Sequence, residues 1–137
     1  MFVEYSPAAI AMFDTEMRYL VTSKRWLQDY RLNITQITGK SHYDVFPELP
    51  EEWKAVHRRC LAGAVEKNEN DMFLRPDGET EWLRWESHPW YKASGDVGGI
   101  ILFTEVITER KKAEDRYQRK KSFRLSHQKF TRCFLLI

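Results

Sequence analysis

The sequence has few cysteines and no long apolar segment. Its 137 residues include two cysteines, Cys60 and Cys133, whose positions fit neither a zinc-binding spacing nor a disulfide framework. No run of about 18 apolar residues occurs, so we predict no membrane-spanning helix. These absences favour a soluble, cytoplasmic chain with reduced thiols.

Motifs of catalysis are also missing. The sequence has no glycine-rich phosphate-binding loop and no recognisable Ser-His-Asp order. It also lacks a cluster of His, Asp and Glu at metal-ligand spacing. We therefore predict that the chain is not itself an enzyme and holds no metal.

Charge is unevenly distributed along the chain, although 42% hydrophobic residues indicate one globular domain. Residues 1–108 carry 12 Lys/Arg and 17 Asp/Glu, whereas residues 109–137 carry 10 and 3. We predict one domain at 1–108 and a basic helical tail at 109–137. Basic helical linkers are common in soluble proteins, so we do not expect nucleic-acid binding.

The first half of the sequence predicts two strands and several helices. The apolar runs 9–13 and 17–22 flank a short polar turn, which is typical of a β-hairpin. Ser23 and Ser41 are candidate N-caps of two short helices. A longer helix is predicted from Pro50 to Ala64, and its apolar stripe contains Trp53, Val56, Cys60, Leu61 and Ala64, with His57 inside it.

The second half predicts three strands and a charged helix. A strand around 72–74 is followed by the turn Pro76-Asp77-Gly78 and by an alternating segment at 80–88. The turn Ser94-Gly95-Asp96 leads to the apolar strand 98–108. The helix after residue 108 has few apolar positions, so it needs a partner helix.

Five segments in this order resemble a PAS domain, the sensor module of bacterial signalling proteins such as histidine kinases and cyclic-dinucleotide enzymes. The segments are YSPAAIAMFDTEMRYLVTSKRWL, ITGKSHYDVFP, WKAVHRRCLAG, RPDGETEWLRWESHPWY and GGIILFTEVITERKKAE. The resemblance covers roughly residues 2–115. It implies an α+β fold, with a five-stranded antiparallel sheet, helices on one face and a C-terminal signalling helix.

The resemblance also implies a ligand cavity between the sheet and the long helix. The candidate lining residues are Trp53, Val56, His57, Cys60, Leu61, Phe73, Trp82, Ile101 and Phe103. A change there would pass to an output kinase or cyclase domain through Val106, Ile107, Thr108, Glu109 and Arg110. The ligand is left open, and a homodimer is expected through the helices or the outer sheet face.

One departure from the family pattern lies at the end of the last strand. The family usually has Asp-Ile-Thr-Glu-Arg where this chain has Val106-Ile107-Thr108-Glu109-Arg110. Glu105 is one residue early, and strand alternation turns it to the other face. A polar latch at this junction is therefore in doubt.

Two alternative functions remain open. A histidine on the long helix is the axial ligand in haem-binding relatives, which makes His57 a candidate haem ligand. Otherwise His57 is a partly buried histidine with a hydrogen-bond partner, or a residue at the rim with Arg58 and Arg59 turned to solvent. The second alternative function is a structural dimerisation module that binds no ligand. We expect Cys60 to be a small core residue, and His42 and His88 to lie at the surface or in loops.

Two motifs of related signalling proteins are absent or incomplete in this sequence, which argues against a photoreceptor role and against a phospho-acceptor role. The stretch GKSHYDVF lacks the Asn-Cys-Arg motif of flavin photoreceptors, so we do not expect a flavin adduct. Residues 126–131 are similar to the phospho-acceptor box of histidine kinases, but Gln128 replaces its acid and Arg132 its proline. We interpret this as a chance match.

The apolar end, 133–137, is expected to dock on the body or a partner, or to result from truncation.

Overall fold

A computed structural model describes the backbone of residues 3–135 and the side chains of residues 3–125. The chain divides into two compact units, Met1–Val106 and Ile107–Ile137. The first unit contains a sheet and four helices, and the second contains one long helix. In the part described, no helix has the length and apolar character needed to cross a membrane.

The sheet has five antiparallel strands within the described residues. The strands are β1 (Ala9–Asp14), β2 (Tyr19–Thr22), β3 (Glu66–Leu74), β4 (Thr80–Tyr91) and β5 (Val97–Val106). Their spatial order is β2-β1-β5-β4-β3, so β5 is central and pairs with both β1 and β4. This confirms the predicted five-stranded antiparallel sheet.

Both predicted tight turns connect antiparallel strands. Gly78 between β3 and β4 has a φ of 88°, and Gly95 between β4 and β5 has a φ of 91°. Glycine reaches this left-handed region without the penalty that a Cβ atom brings. The two turns therefore fix the β3-β4-β5 meander.

Four helices precede the third strand, and a fifth follows the last one. They are α1 (Lys24–Asp29), α2 (Ile34–Ile37), α3 (His42–Val45), α4 (Glu51–Leu61) and α5 (Thr108–Leu135). Ser23 and Ser41 cap α1 and α3 as predicted, because their hydroxyls accept the backbone N–H groups of Trp26 and Tyr43. Helix α4 ends at Leu61, three residues before the predicted end.

Strand alternation gives the sheet two different faces. The core face meets α1 and α4 and buries, among others, Ala11, Phe13, Leu83, Ile100 and Leu102. The opposite face, here called the outer sheet face, carries half-buried apolar side chains: Ile10, Met12, Trp82, Trp90, Ile101 and Phe103. The protein core thus lies on one side of the sheet.

Close approaches from β4 and from β1 require two glycines on β5. The Trp90 ring lies where a Cβ atom at Gly98 would project, and a Cβ at Gly99 would collide with the Phe13 carbonyl. Trp90 Nε1 donates to the Phe13 carbonyl oxygen at 2.8 Å. Gly98 and Gly99 therefore let the indole cross β5 and reach β1.

Candidate functional site: an aromatic cavity between sheet and helices

A cavity of about 40 Å³ lies between the core face and the helices. This volume is equivalent to roughly three water-sized spheres. Its wall is mainly aromatic and aliphatic, and it is formed by Trp26, Tyr30, His42, Phe46, Leu49, Trp53, Val56, His57, Phe73, Leu83, Trp85, Leu102 and Thr104. Every structural layer of the first unit therefore contributes to the cavity.

Tyr30 connects the aromatic wall to the central strand. Its ring centroid lies 4.6 Å from that of Trp26 and 5.7 Å from those of Phe46 and Phe73. Its hydroxyl donates to Thr104 Oγ1 on β5 at 2.9 Å. Aromatic contacts at such distances are stabilising beyond the area that they bury. The ring cluster therefore ties α1 to β5.

Two buried histidines form a second part of the wall. His42 Nδ1 is hydrogen-bonded to the Tyr19 hydroxyl at 2.8 Å, and His57 Nδ1 to the Tyr43 hydroxyl at 2.9 Å. The two imidazole centroids are 5.5 Å apart. Burial lowers the pKa of His57 to about 4 and that of His42 well below its usual range. Both rings are therefore neutral at pH 7.

Asp71 joins two indoles of the wall. Its Oδ2 accepts from Trp53 Nε1 at 2.9 Å and from Trp85 Nε1 at 2.8 Å, while Oδ1 accepts the Met72 backbone N–H. A register irregularity in β3 between Asn68 and Asp71 places the carboxylate between α4 and β4. We call this arrangement of Asp71, Trp53 and Trp85 the indole clamp.

The nine predicted pocket residues do not all meet at the cavity. Trp53, Val56, His57 and Phe73 line it. Cys60 is fully buried next to β4, where its thiol donates to the Ser87 carbonyl at 3.5 Å. Neither Cys60 nor Leu61 lines the cavity.

Three of the predicted pocket residues lie on the face of the sheet opposite the cavity. Trp82, Ile101 and Phe103 belong to the outer sheet face because their neighbours Leu83 and Leu102 point at the helices. Along β4 and β5, both series of alternating positions carry bulky side chains. The sequence alone therefore does not determine which series faces the helices.

The expectation for His42 was also wrong. His42 is 4% exposed and lies at the start of α3, with its ring packed against Phe13 and Phe46. His88 is on β4 rather than in a loop, and its side chain is 36% exposed. A four-residue helix gives no periodic signal, so the inward direction of His42 could not be seen in the sequence.

Several residues of the wall were missed by the sequence analysis. Trp26, Tyr30 and Phe46 precede the long helix, and Trp85, Leu102 and Thr104 lie on the strands. The density of aromatic residues between 26 and 46 was the signal that could have identified the first three.

The predicted relay segment spans the end of β5 and the start of α5. Val106 ends the strand opposite Leu83, and Thr108 begins the helix one residue after Ile107. Glu105 faces the outer side, as alternation predicts, and its carboxylate contacts Arg84 Nε at 3.3 Å. The carboxylate thus forms an ion pair with the neighbouring strand.

The residues present do not fit a haem. Cofactor pockets usually have volumes of about 300–1,000 Å³, far more than this cavity offers. His57 is already hydrogen-bonded through Nδ1 to Tyr43. Within the described side chains, no group of three or more His, Cys, Asp or Glu could hold a metal ion. The similarity to a phospho-acceptor box at 126–131 and the apolar end at 133–137 fall outside the described side chains.

The fold is similar to those of several solved sensor proteins. An RNA-binding light-oxygen-voltage receptor matches 92% of this chain with a TM-score of 0.67 and 16% identity, and the match covers 36% of that receptor. The PAS domain of Bordetella pertussis BvgS matches 88% of this chain and is itself covered to 92%, with a TM-score of 0.61 and 18% identity.

A sensory box sensor histidine kinase from Vibrio cholerae matches 77% of this chain and is covered to 84%, with a TM-score of 0.60 and 16% identity. No curated protein matches the chain. The sequence profile of the PAS fold matches residues 3–112. With that match over the sheet, the helices and the cavity, the chain belongs to the PAS family and contains a PAS sensory domain.

Proposed function

We propose that this chain is a cytoplasmic sensory module that binds a small ligand in the aromatic cavity and relays the event through α5. One observation carries the proposal. Leu102 and Thr104 line the cavity on β5, and β5 leads through Ile107 directly into α5. A ligand that displaces β5 therefore moves the residue that starts the helix.

The contacts of β5 support such a relay. The Tyr30 hydroxyl bonds to Thr104, so a shift of the aromatic cluster acts on β5 without an intermediate. Because β5 pairs with both β1 and β4, a displacement of β5 also changes its pairing with these two strands. Val106, Ile107, Thr108, Glu109 and Arg110 then transmit the change. A ligand shifts the equilibrium between two conformations of the chain only by as much as its affinity for one conformation exceeds its affinity for the other.

The proposed output is a catalytic domain such as a histidine kinase or a cyclase. The similarity to a solved sensor histidine kinase supports the first of these. Helix α5 exposes apolar side chains, with Tyr117 64% and Phe123 72% exposed. Exposed rings on a charged helix are suited to contact with a second helix. A helix pair in a dimer would carry the signal onward.

The relay is tested with a substitution that imitates an occupied cavity. Leu102→Phe replaces a leucine side chain with a larger phenyl ring at the cavity, whereas Ile101→Phe places a phenyl ring on the outer sheet face. We expect Leu102→Phe to change the amide hydrogen exchange of residues 108–119 in α5, and Ile101→Phe to leave it close to wild type. Equal exchange in both folded variants and in wild type would contradict the relay.

A second candidate is a dimerisation module that needs no ligand. The small volume of the cavity favours it, because side chains fill most of the space between sheet and helices. The outer sheet face supplies an apolar surface for a second copy. Such a module would show no change in melting temperature across a panel of metabolites, whereas a sensor would be stabilised by its ligand.

A further inference from the structure

Most of the polar groups around the cavity are hydrogen-bonded within the protein. The Tyr30 hydroxyl bonds to Thr104, and the indole N–H groups of Trp53 and Trp85 bond to Asp71. The imidazoles of His42 and His57 bond to tyrosine hydroxyls. Among the described lining residues, Trp26 Nε1 is buried without a well-formed hydrogen bond, and it is an uncharged donor.

None of the described residues that line the cavity has a charged side chain. Its described wall contains neither Asp, Glu, Lys nor Arg. Asp71 stands behind the indoles of Trp53 and Trp85, and its two oxygens already accept three N–H groups. A charged group moved from water into such a site loses its hydration and finds no partner of opposite charge there. The site therefore discriminates against charged ligands.

The indole clamp limits the size of a ligand. A dry apolar cavity of about 150 Å³ accepts benzene or xenon, whereas this cavity has about 40 Å³. Trp53 stacks on Phe73 with centroids 6.0 Å apart, so the clamp also holds a second ring of the wall. A molecule the size of an aromatic ring fits only if Trp53 or Trp85 moves.

We propose that the cavity selects a small uncharged apolar molecule, and that the indole clamp of Asp71, Trp53 and Trp85 sets its upper size limit. This inference rests on the proposed function because it names the ligand class of the same cavity. Asp71 acts here as a positioning residue, since it holds the two indoles and does not touch the ligand.

The ligand class is tested on the full chain with probes of matched shape. Xenon, detected by ¹²⁹Xe NMR, should bind to the wild-type protein, because the cavity holds an atom of that size. Benzene, which enters only when an indole of the clamp moves, should raise the melting temperature of wild type by a small amount, whereas benzoate and benzylammonium, its charged counterparts, should not raise it. Stabilisation by either charged compound equal to that by benzene would overturn the proposal, as would the failure of both xenon and benzene to bind.

The size limit is tested by weakening the clamp. Trp53→Phe removes one indole N–H but keeps an aromatic ring, and Trp82→Phe makes the same change on the outer sheet face. We expect the benzene-induced shift in melting temperature to at least double in Trp53→Phe and to stay at the wild-type value in Trp82→Phe. An unchanged shift in folded Trp53→Phe would refute the role of the clamp.

These results separate the ligand class from the proposed relay. If no uncharged probe binds but Leu102→Phe alters exchange in α5, the ligand class is wrong and the relay stands. If benzene binds and Leu102→Phe leaves α5 unchanged, the ligand class stands and the relay is wrong.

Discussion

The Tyr43 hydroxyl lies 2.9 Å from Nδ1 of His57, a residue of the cavity wall that is 4% exposed. The same arrangement recurs 5.5 Å away, where Tyr19 is bonded to His42. Each neutral histidine thus has a tyrosine partner. Each tyrosine–histidine pair therefore favours a neutral imidazole over a protonated one.

Mild acid should destabilise the protein through these histidines. An unfolded histidine takes up its proton near pH 6.5, whereas burial lowers the pKa of His57 to about 4 in the folded chain. Between these values the unfolded state binds a proton that the folded state does not, so stability is full above pH 6.5 and falls as the pH falls. His57 should account for a loss of about 2 kcal/mol between pH 7 and pH 5.

Urea unfolding of wild type and His57→Gln at pH 7, 6 and 5 measures this contribution. The variant should lose about 2 kcal/mol less than wild type over the same range. The carboxylates with lowered pKa values, such as Glu66 and Asp77, begin to matter only below this window. Equal losses in the two proteins would show that His57 is not the cause.

Removal of the partner of Arg75 should destabilise the β3–β4 hairpin. The Arg75 side chain is 8% exposed and contacts the Glu81 carboxylate at 3.2 Å. Glu81→Gln leaves a buried guanidinium without this anion, and we expect a loss of about 2–3 kcal/mol, since Asp29 supplies part of the field.

The matched control is Glu16→Gln, which breaks the exposed pair with Arg18. Exposed pairs contribute at most about 1 kcal/mol, so this variant should unfold near the wild-type urea concentration. A loss in Glu81→Gln no larger than that in Glu16→Gln would contradict the importance of the buried pair.

Alanine substitutions at three glycines should lower the free energy of unfolding by different amounts, depending on the atoms that surround each glycine. At Gly99 a Cβ meets the Phe13 carbonyl in the backbone, so Gly99→Ala should lose more than about 3 kcal/mol. At Gly98 it meets the Trp90 ring, which can move, and the loss should be about 1–3 kcal/mol. Gly95→Ala meets nothing within 4 Å and has only the backbone penalty of about 1 kcal/mol. Thermal or urea unfolding gives the order, and any other order would refute the packing account.

The proposed dimer makes a prediction about the outer sheet face. Phe103→Glu places a charge between Ile10 of β1 and Glu86 of β4 and should convert a sheet-mediated dimer into a monomer. Light scattering after size exclusion measures the mass. Asp77→Lys, on the exposed β3–β4 turn, serves as a charge-changing control that should keep the dimer. A dimer that persists in Phe103→Glu would exclude this face.

The sequence predicted the order of the sheet elements well because each signal was local. The glycines at 78 and 95 mark turns, and Ser23 and Ser41 cap helices where the hydroxyl reaches the first turn. Helix α2 was missed because its four residues give no periodic pattern, although Asn33 and Gln36 form a capping box there.

The cavity was less predictable because it depends on long-range packing. Of the residues predicted on the long helix, Trp53, Val56 and His57 line the cavity, since one stripe of α4 faces the sheet. On β4 and β5 both alternating sets are bulky, and only the pairing of the sheet with the helices decides that Trp85 and Leu102 face inward. The indole clamp was invisible for the same reason, because Asp71 meets Trp53 and Trp85 across three elements.

The crossing of Trp90 over Gly98 and Gly99 has a consequence for the evolution of the domain. A larger residue at Gly98 is accommodated best where the indole is absent, and loss of the indole removes the packing reason to keep this glycine, whereas Gly99 is still required by the Phe13 carbonyl. Substitutions at Trp90 and Gly98 are thus expected to be inherited together, so their joint presence or joint absence would mark lineages among homologues whose overall identity is too low to group them.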